Sequence, residues 1–242
     1  MTTFQAIQLT CPLCQKPMGH YELTSYFVGK STVFSDGKVE HDGSFFEDKT
    51  LIVCPHCAEL FWRDDAKEQE IQYSDEDEDL PFSNSVYDLE FARKENFQEG
   101  IILFYHQLLE KGFANNPTRQ VYLRIQLWRS INNLIRYQKP LFKSIDFFVI
   151  KSPFRFIKNR FSTQITYNSF RKLQLSNLKQ LIKLFDPMDE NEKVMKADMY
   201  REIGNRKAAL DIINELKIPQ GKHVAKIRNA ALWYRKRVFK LD

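Results

Sequence analysis

The chain has no apolar run long enough to cross a bilayer. Its longest, IILFY and FFVI, fall far short of the ~20 residues a spanning helix needs. The opening stretch, MTTFQAIQLTCPLC, lacks a basic segment followed by an apolar one, so no secretory leader is expected. Both absences point to a cytoplasmic, reducing address. Glycine (8), proline (9) and cysteine (4) are all sparse among 242 residues, and the composition is otherwise that of an ordinary soluble protein. Catalytic signatures are also missing: there is no G-x-S-x-G, H-E-x-x-H, G-x-x-x-x-G-K or G-x-G-x-x-G. His20, His41, His106 and His223 are scattered without partner spacing, and the acidic run Asp75 to Asp79 lacks the alternation of an EF-hand loop. These absences argue against an enzyme, and no small-molecule substrate is expected.

Aromatic residues and charge are what the chain does have. Aromatics make up 14%, with 20 Phe, ample material for a core, and the length allows two domains. The net charge of +5 hides an asymmetry. Residues 1–100 hold 8 Lys/Arg against 20 Asp/Glu, a net of −12, and the remainder holds 28 against 11, a net of +17. The two halves are therefore read separately.

Residues 1–62 read as a small β-rich module. LTSYFVG and STVFSDGKVE carry β-branched and aromatic residues, and Asp36-Gly37 stands where a two-residue hairpin turn would want it. Asp42-Gly43 marks a second reversal, and TLIV runs as a strand into Cys54. Residues 63–95 contain a dense acidic block, which self-repels and reads as a linker. From residue 96 onward the hydrophobic period is helical. Ile101, Phe104, Tyr105, Leu108 and Leu109 form one stripe, with Gly112 as its stop. RQVYLRIQLWRSINNLIRYQ is apolar on two faces, and LQLSNLKQLIKLFD repeats the pattern up to Asp186-Pro187. Three shorter helices follow, separated at Gly204-Asn205 and at Pro219-Gln220-Gly221. The expected fold class is thus α+β, a β-rich module followed by an α-helical domain over 96–242.

The four cysteines are two C-P-x-C pairs, Cys11/Cys14 and Cys54/Cys57. Two intervening residues let both sulfurs of a pair face one point, and two such turns make a tetrahedral four-thiolate cage. In a reducing address this favours metal over disulfides. One structural Zn2+ per chain is the expected cofactor, and the same ligand set would also suit a rubredoxin-type iron. Four thiolates leave no open position for water, so catalytic zinc is disfavoured. His56, between bound cysteines, is expected to face outward. CPLC and CPHC resemble the paired knuckles of zinc-ribbon proteins, with Gln15 and Ala58 standing where such knuckles often carry Gly. ADMYREIGNRKAALDII is similar to a tetratricopeptide repeat spanning about 193–219. Ala197 stands at its small early position, Tyr200 at its aromatic, Gly204 at its turn and Ala209 at the small residue of its second helix. The combination resembles a group of bacterial proteins that join a paired-CPxC module to tetratricopeptide-like helices, a resemblance that brings no activity with it.

Residues 119–183 hold 14 Lys/Arg and one acid, Asp146. Within 139–172, Lys151, Arg155, Lys158, Arg160, Arg171 and Lys172 alternate with aromatic rings. These six are candidate polyanion-binding residues, since cations and rings together suit single-stranded nucleic acid. The same pattern suits plain core with its solvated face, or docking of the acidic linker. The functional expectation is a non-enzymatic, zinc-binding adaptor for protein partners. The alternative is a nucleic-acid-binding protein using 139–172 with the ribbon.

Overall fold

The computed structural model describes residues 3–25, 29–41, 50–69, 80–85, 97–136, 153–217, 222–233 and 235–241, with backbone only at 153–166. Among the described residues it is mixed α/β, with small antiparallel sheets in the N-terminal part and six α-helices after them. The chain divides into two compact units. One comprises residues 1–31 and 41–97, the other 32–40 and 98–242.

The first unit is built on strands β1 (Thr3–Thr10) and β2 (Pro17–Ser25), antiparallel and joined by the first cysteine pair. Strands β3 (Ser31–Val33) and β4 (Val39–His41) belong mostly to the second unit. Returning to the first, β5 (Leu51–Val53) pairs with β6 (Leu60–Trp62), and β7 (Lys67–Gln69) lies on the free side of β1. The two-residue β8 (Asn84–Ser85) closes the other sheet against β5. Alternation along β1 sends Ile7 and Leu9 inward, where they pack with Met18, Ile52, Phe61, Cys11 and Cys54. Cys14, Cys57 and Ala66 complete the same cluster, so the cysteine cage forms one wall of the core. The stretch read as a linker, 63–95, is therefore partly built in: 63–69 form a 3-10 turn and β7, and 80–85 pair with β2 and β5. The acidic run 75–79 and Asp42-Gly43 lie outside the described residues.

The second unit contains helices α1 (Phe97–Glu110), α2 (Pro117–Arg136), α3 (Pro153–Leu184), α4 (Glu190–Ile203), α5 (Arg206–Asn214) and α6 (Lys222–Leu232). Helix α2 packs along α3, α3 against α4, and α4 against both α5 and α6. Trp128 of α2 is fully buried among Leu178, Leu181, Ile182, Phe185 and Met199, which fits the two apolar faces of that helix. The α4–α5 turn follows from its residues. Gly204, at φ 91°, lets its own N–H reach the Arg201 carbonyl and the Asn205 N–H reach the Tyr200 carbonyl, a Schellman end. The Asn205 side chain then accepts from the Ala208 N–H and caps α5. Ala197 and Ala209 are fully buried on the facing helices.

Residues 32–40 were expected in the N-terminal module but fold with the helices. Phe34 N–H bonds to the Lys38 carbonyl and Gly37 N–H to the Phe34 carbonyl, with Gly37 at φ 71°. This is a three-residue loop with glycine in the left-handed position. The expected two-residue turn would also need positive φ at Asp36, which does not have it. The physical reason for the partition is Asp36. It is fully buried and held in a fork by Arg136, Nη1–Oδ1 3.1 Å and Nη2–Oδ2 2.5 Å, while Asn132 donates to Oδ2 at 3.1 Å. The C-terminal segment fastens the same hairpin: Leu241 N–H bonds to the Val33 carbonyl and Ser35 N–H to the Phe239 carbonyl.

From Asp36 a buried polar network runs inward. Asn132 also donates to Glu202 at 3.3 Å, and Glu202 accepts from the Trp128 indole at 2.9 Å and the Gln174 amide at 3.1 Å. Arg201 holds Asp198 at 2.6 Å and touches Glu202 at 3.4 Å. Burial pushes the Glu202 carboxyl up to about 8, aided by the charge of Asp198, while Arg201 and the Trp128 N–H pull the other way. Burial likewise raises Asp198 despite Arg201.

Candidate metal centre

Each cysteine pair sits in a tight turn with the same hydrogen bonds. In the first, Gln15 N–H reaches the Cys11 carbonyl at 3.0 Å and Cys11 N–H reaches the Lys16 carbonyl at 3.1 Å. In the second, Ala58 N–H reaches the Cys54 carbonyl at 2.9 Å and Cys54 N–H the Glu59 carbonyl at 3.0 Å. Gln15 at φ 60° and Ala58 at φ 58° are the non-glycine residues with positive φ among those described. The two departures from the glycine of zinc knuckles therefore sit in the left-handed geometry that glycine would adopt without cost. Gln15 adds a local tie, its side-chain amide donating to the Pro12 carbonyl at 2.8 Å.

Strands β1 and β5 each run directly into a knuckle and bring the two pairs together. All four sulfurs lie within 4.8 Å of one another, with Cys11 Sγ–Cys57 Sγ at 4.0 Å and Cys14 Sγ–Cys54 Sγ at 3.7 Å. A tetrahedral ion with Zn–S bonds of about 2.3 Å requires S···S edges of about 3.8 Å. The donor set fits such an ion with little adjustment. Cys11 and Cys54 are buried, Cys14 and Cys57 half-buried. The backbone N–H of Lys16 draws the Cys14 thiol down to about 7, whereas burial pushes Cys54 up to about 12. At Cys57 the Glu59 N–H lowers the thiol, but burial and the Cys14 and Cys11 sulfurs raise it overall. His56 turns away from the sulfurs, its Nε2 lying 2.8 Å from the Pro17 carbonyl, so it ties the second knuckle to the start of β2.

The structure brings together Cys11, Cys14, Cys54 and Cys57. Of the six basic candidates, only Arg171 and Lys172 have described side chains. Lys151 lies outside the described residues, and the side chains of Arg155, Lys158 and Arg160, on α3, are likewise outside them. Arg171 turns inward, donating to Gln174 Oε1 at 2.6 Å and to the Glu202 carbonyl at 2.7 Å. Lys172 is exposed. A basic feature that the sequence reading passed over is the C-terminal stretch 222–242, with seven Lys/Arg, one Asp and the exposed Trp233. Its signal was the count of charges, masked by the helical periodicity around it. No described helix is long and apolar enough to cross a membrane. Comparison with known proteins finds no family model, no curated protein and no solved structure that matches this chain.

Proposed function

We propose that this chain is a non-enzymatic interaction module for protein partners in a reducing compartment, with its N-terminal unit held by one structural Zn2+. The observation that carries the reading is the closed set of four sulfurs within 4.8 Å, built into a core wall rather than a cleft. Bound zinc would supply folding free energy and no open coordination position.

Two features support the adaptor half. The α4–α5 hairpin, with Ala197 and Ala209 fully buried and Gly204 at the turn, is consistent with tetratricopeptide-like packing, which builds peptide-holding surfaces. On the outer face of β1–β2, Tyr21 and Phe82 stack in parallel, centroids 4.3 Å apart, while 47% and 41% exposed. Phe4 lies on the same face, 55% exposed, because it and Ala6, the partner of Tyr21, are two residues apart. Gly19 makes room for Phe82, whose ring would be 2.7 Å from any Cβ there. Rigid, half-exposed aromatics of this kind anchor protein interfaces. Affinity capture with the intact chain and with a Tyr21→Ser/Phe82→Ser variant tests this. A reproducible partner lost in the variant is expected, and identical recovery from both, or none from the intact chain, would sink the adaptor reading.

A further inference from the structure

The second unit contains a cleft of about 550 Å3 between α6 and the C-terminal segment. Lys226, Asn229 and Trp233 line one side, and Arg235, Phe239 and Lys240 the other. Three of these six side chains are cationic, and no carboxylate is among the described residues that line the cleft. Lys226 donates to the Leu241 carbonyl at 2.7 Å. Trp233 is 78% exposed, far more than Trp62 or Trp128, which are 4% and 0% exposed. Such an indole has an open face beside a concentration of positive charge.

Hydrogen bonds tie the C-terminal wall to the rest of the unit. Arg235 N–H bonds to the Ala230 carbonyl at 2.9 Å, and the Arg201 guanidinium donates to the Arg235 carbonyl. Further along, Phe239 and Lys240 pair with the hairpin around Phe34 and Ser35. A cleft of this volume is in the range that holds a small organic ligand.

We propose that this cleft binds a nucleoside phosphate, its base stacked on Trp233 and its phosphates held by Lys226, Arg235 and Lys240. The three cations favour an anion, the indole favours a planar ring, and a nucleoside phosphate joins the two. The ligand is either a free nucleotide or one nucleotide of a single strand, since both present the same base and phosphate chemistry. This inference stands apart from the zinc reading and uses none of its residues.

The test is a titration of the full zinc-loaded chain with ATP, a short oligodeoxythymidylate and inorganic tripolyphosphate. It is followed by tryptophan fluorescence and, for variants lacking the fluorophore, by calorimetry. Because Trp62 and Trp128 are buried, stacking quenches Trp233 selectively. Saturable quenching by ATP or by the oligonucleotide is expected, and the tighter of the two identifies the source. Trp233→Ala weakens binding about tenfold. Arg235→Glu with Lys240→Glu weakens it at least tenfold and reduces its salt dependence. Lys207→Glu, at an exposed position of α5, leaves it unchanged. Circular dichroism melts confirm that these surface variants remain folded. Absence of saturable binding by both ligands overturns the proposal. So does tripolyphosphate binding as tightly as ATP, or cleft variants that bind as the parent does while Lys207→Glu does not.

Discussion

Gln15 and Ala58 show how a single residue can satisfy a geometry its side chain disfavours. Both sit at a φ near 60°, where a Cβ costs roughly 1–2 kcal/mol, and both do so because a cysteine knuckle must turn there. Part of that cost returns if glycine, which is freer when unfolded, replaces them. Ala58→Gly is therefore expected to stabilise the metal-loaded first unit by about 0.5–1 kcal/mol, and Ala58→Val to destabilise it by more, as thermal melts would show. A melt of Ala58→Gly below the parent would contradict the knuckle geometry. Asp36 makes the opposite case. Its carboxylate is fully buried against an equally buried Arg136, so Asp36→Asn keeps the shape but leaves the guanidinium uncompensated. A loss of about 3–5 kcal/mol in urea unfolding is expected, because a stranded buried charge costs more than a buried pair contributes. A loss under 1 kcal/mol would mean that Asp36 does not hold the hairpin in place. The cysteines could be read from the sequence because thiolate chemistry depends on spacing alone. The role of Asp36 could not, because nothing local distinguishes a turn aspartate in solvent from one facing an arginine a hundred residues away.

At the scale of elements, the helices declared themselves where one face is apolar. Helices α1 and α2 lie within a few residues of their expected bounds, since periodic Ile, Leu and Tyr at i, i+3 and i+4 admit little else. Strand β1 was overlooked because only Ile7 and Leu9 of its eight residues face the core, so its apolar signal is two residues long. Helix α3 was read only in its second half. Its 32 residues begin at Pro153, which suits a first helical position, but the run of cations and rings after it gives no single stripe. The α4–α5 turn was legible because glycine is the usual residue at that φ. Gly204→Ala would meet only the mobile end of Lys236 at 3.0 Å, so its cost is mainly backbone, about 1 kcal/mol in a melt. The network that joins α2, α3 and α4 adds a pH dependence. Glu202 is raised from 4.5 to about 8 in the fold, so the folded state holds its proton more tightly than the unfolded chain. The stability from this group is full below about pH 4.5 and is lost as pH rises through about 8. Urea midpoints for the second unit are thus expected to fall between pH 6 and pH 9, and Glu202→Gln to flatten that slope. A midpoint that rises over this range would reverse the assigned direction.

Across the whole molecule, chain order and spatial grouping differ. The segment between the two cysteine pairs, 15–53, carries residues 32–40 into the helical unit, while its two ends meet at the sulfurs of the first unit. A boundary drawn from composition alone, between an acidic half and a basic half, could not show this. The loop closed by a metal at Cys11, Cys14, Cys54 and Cys57 is therefore the same loop that delivers Asp36 to Arg136. Metal binding would remove closure entropy from a segment of this length and so favour the folded chain. The most direct test is elemental analysis of the purified intact chain beside Cys54→Ser, with thermal melts before and after chelation. About one zinc per chain, its loss in Cys54→Ser, and a lower melting temperature once the metal is removed are expected. A parent protein that carries no zinc when produced with zinc available, or that melts unchanged after chelation, would contradict it.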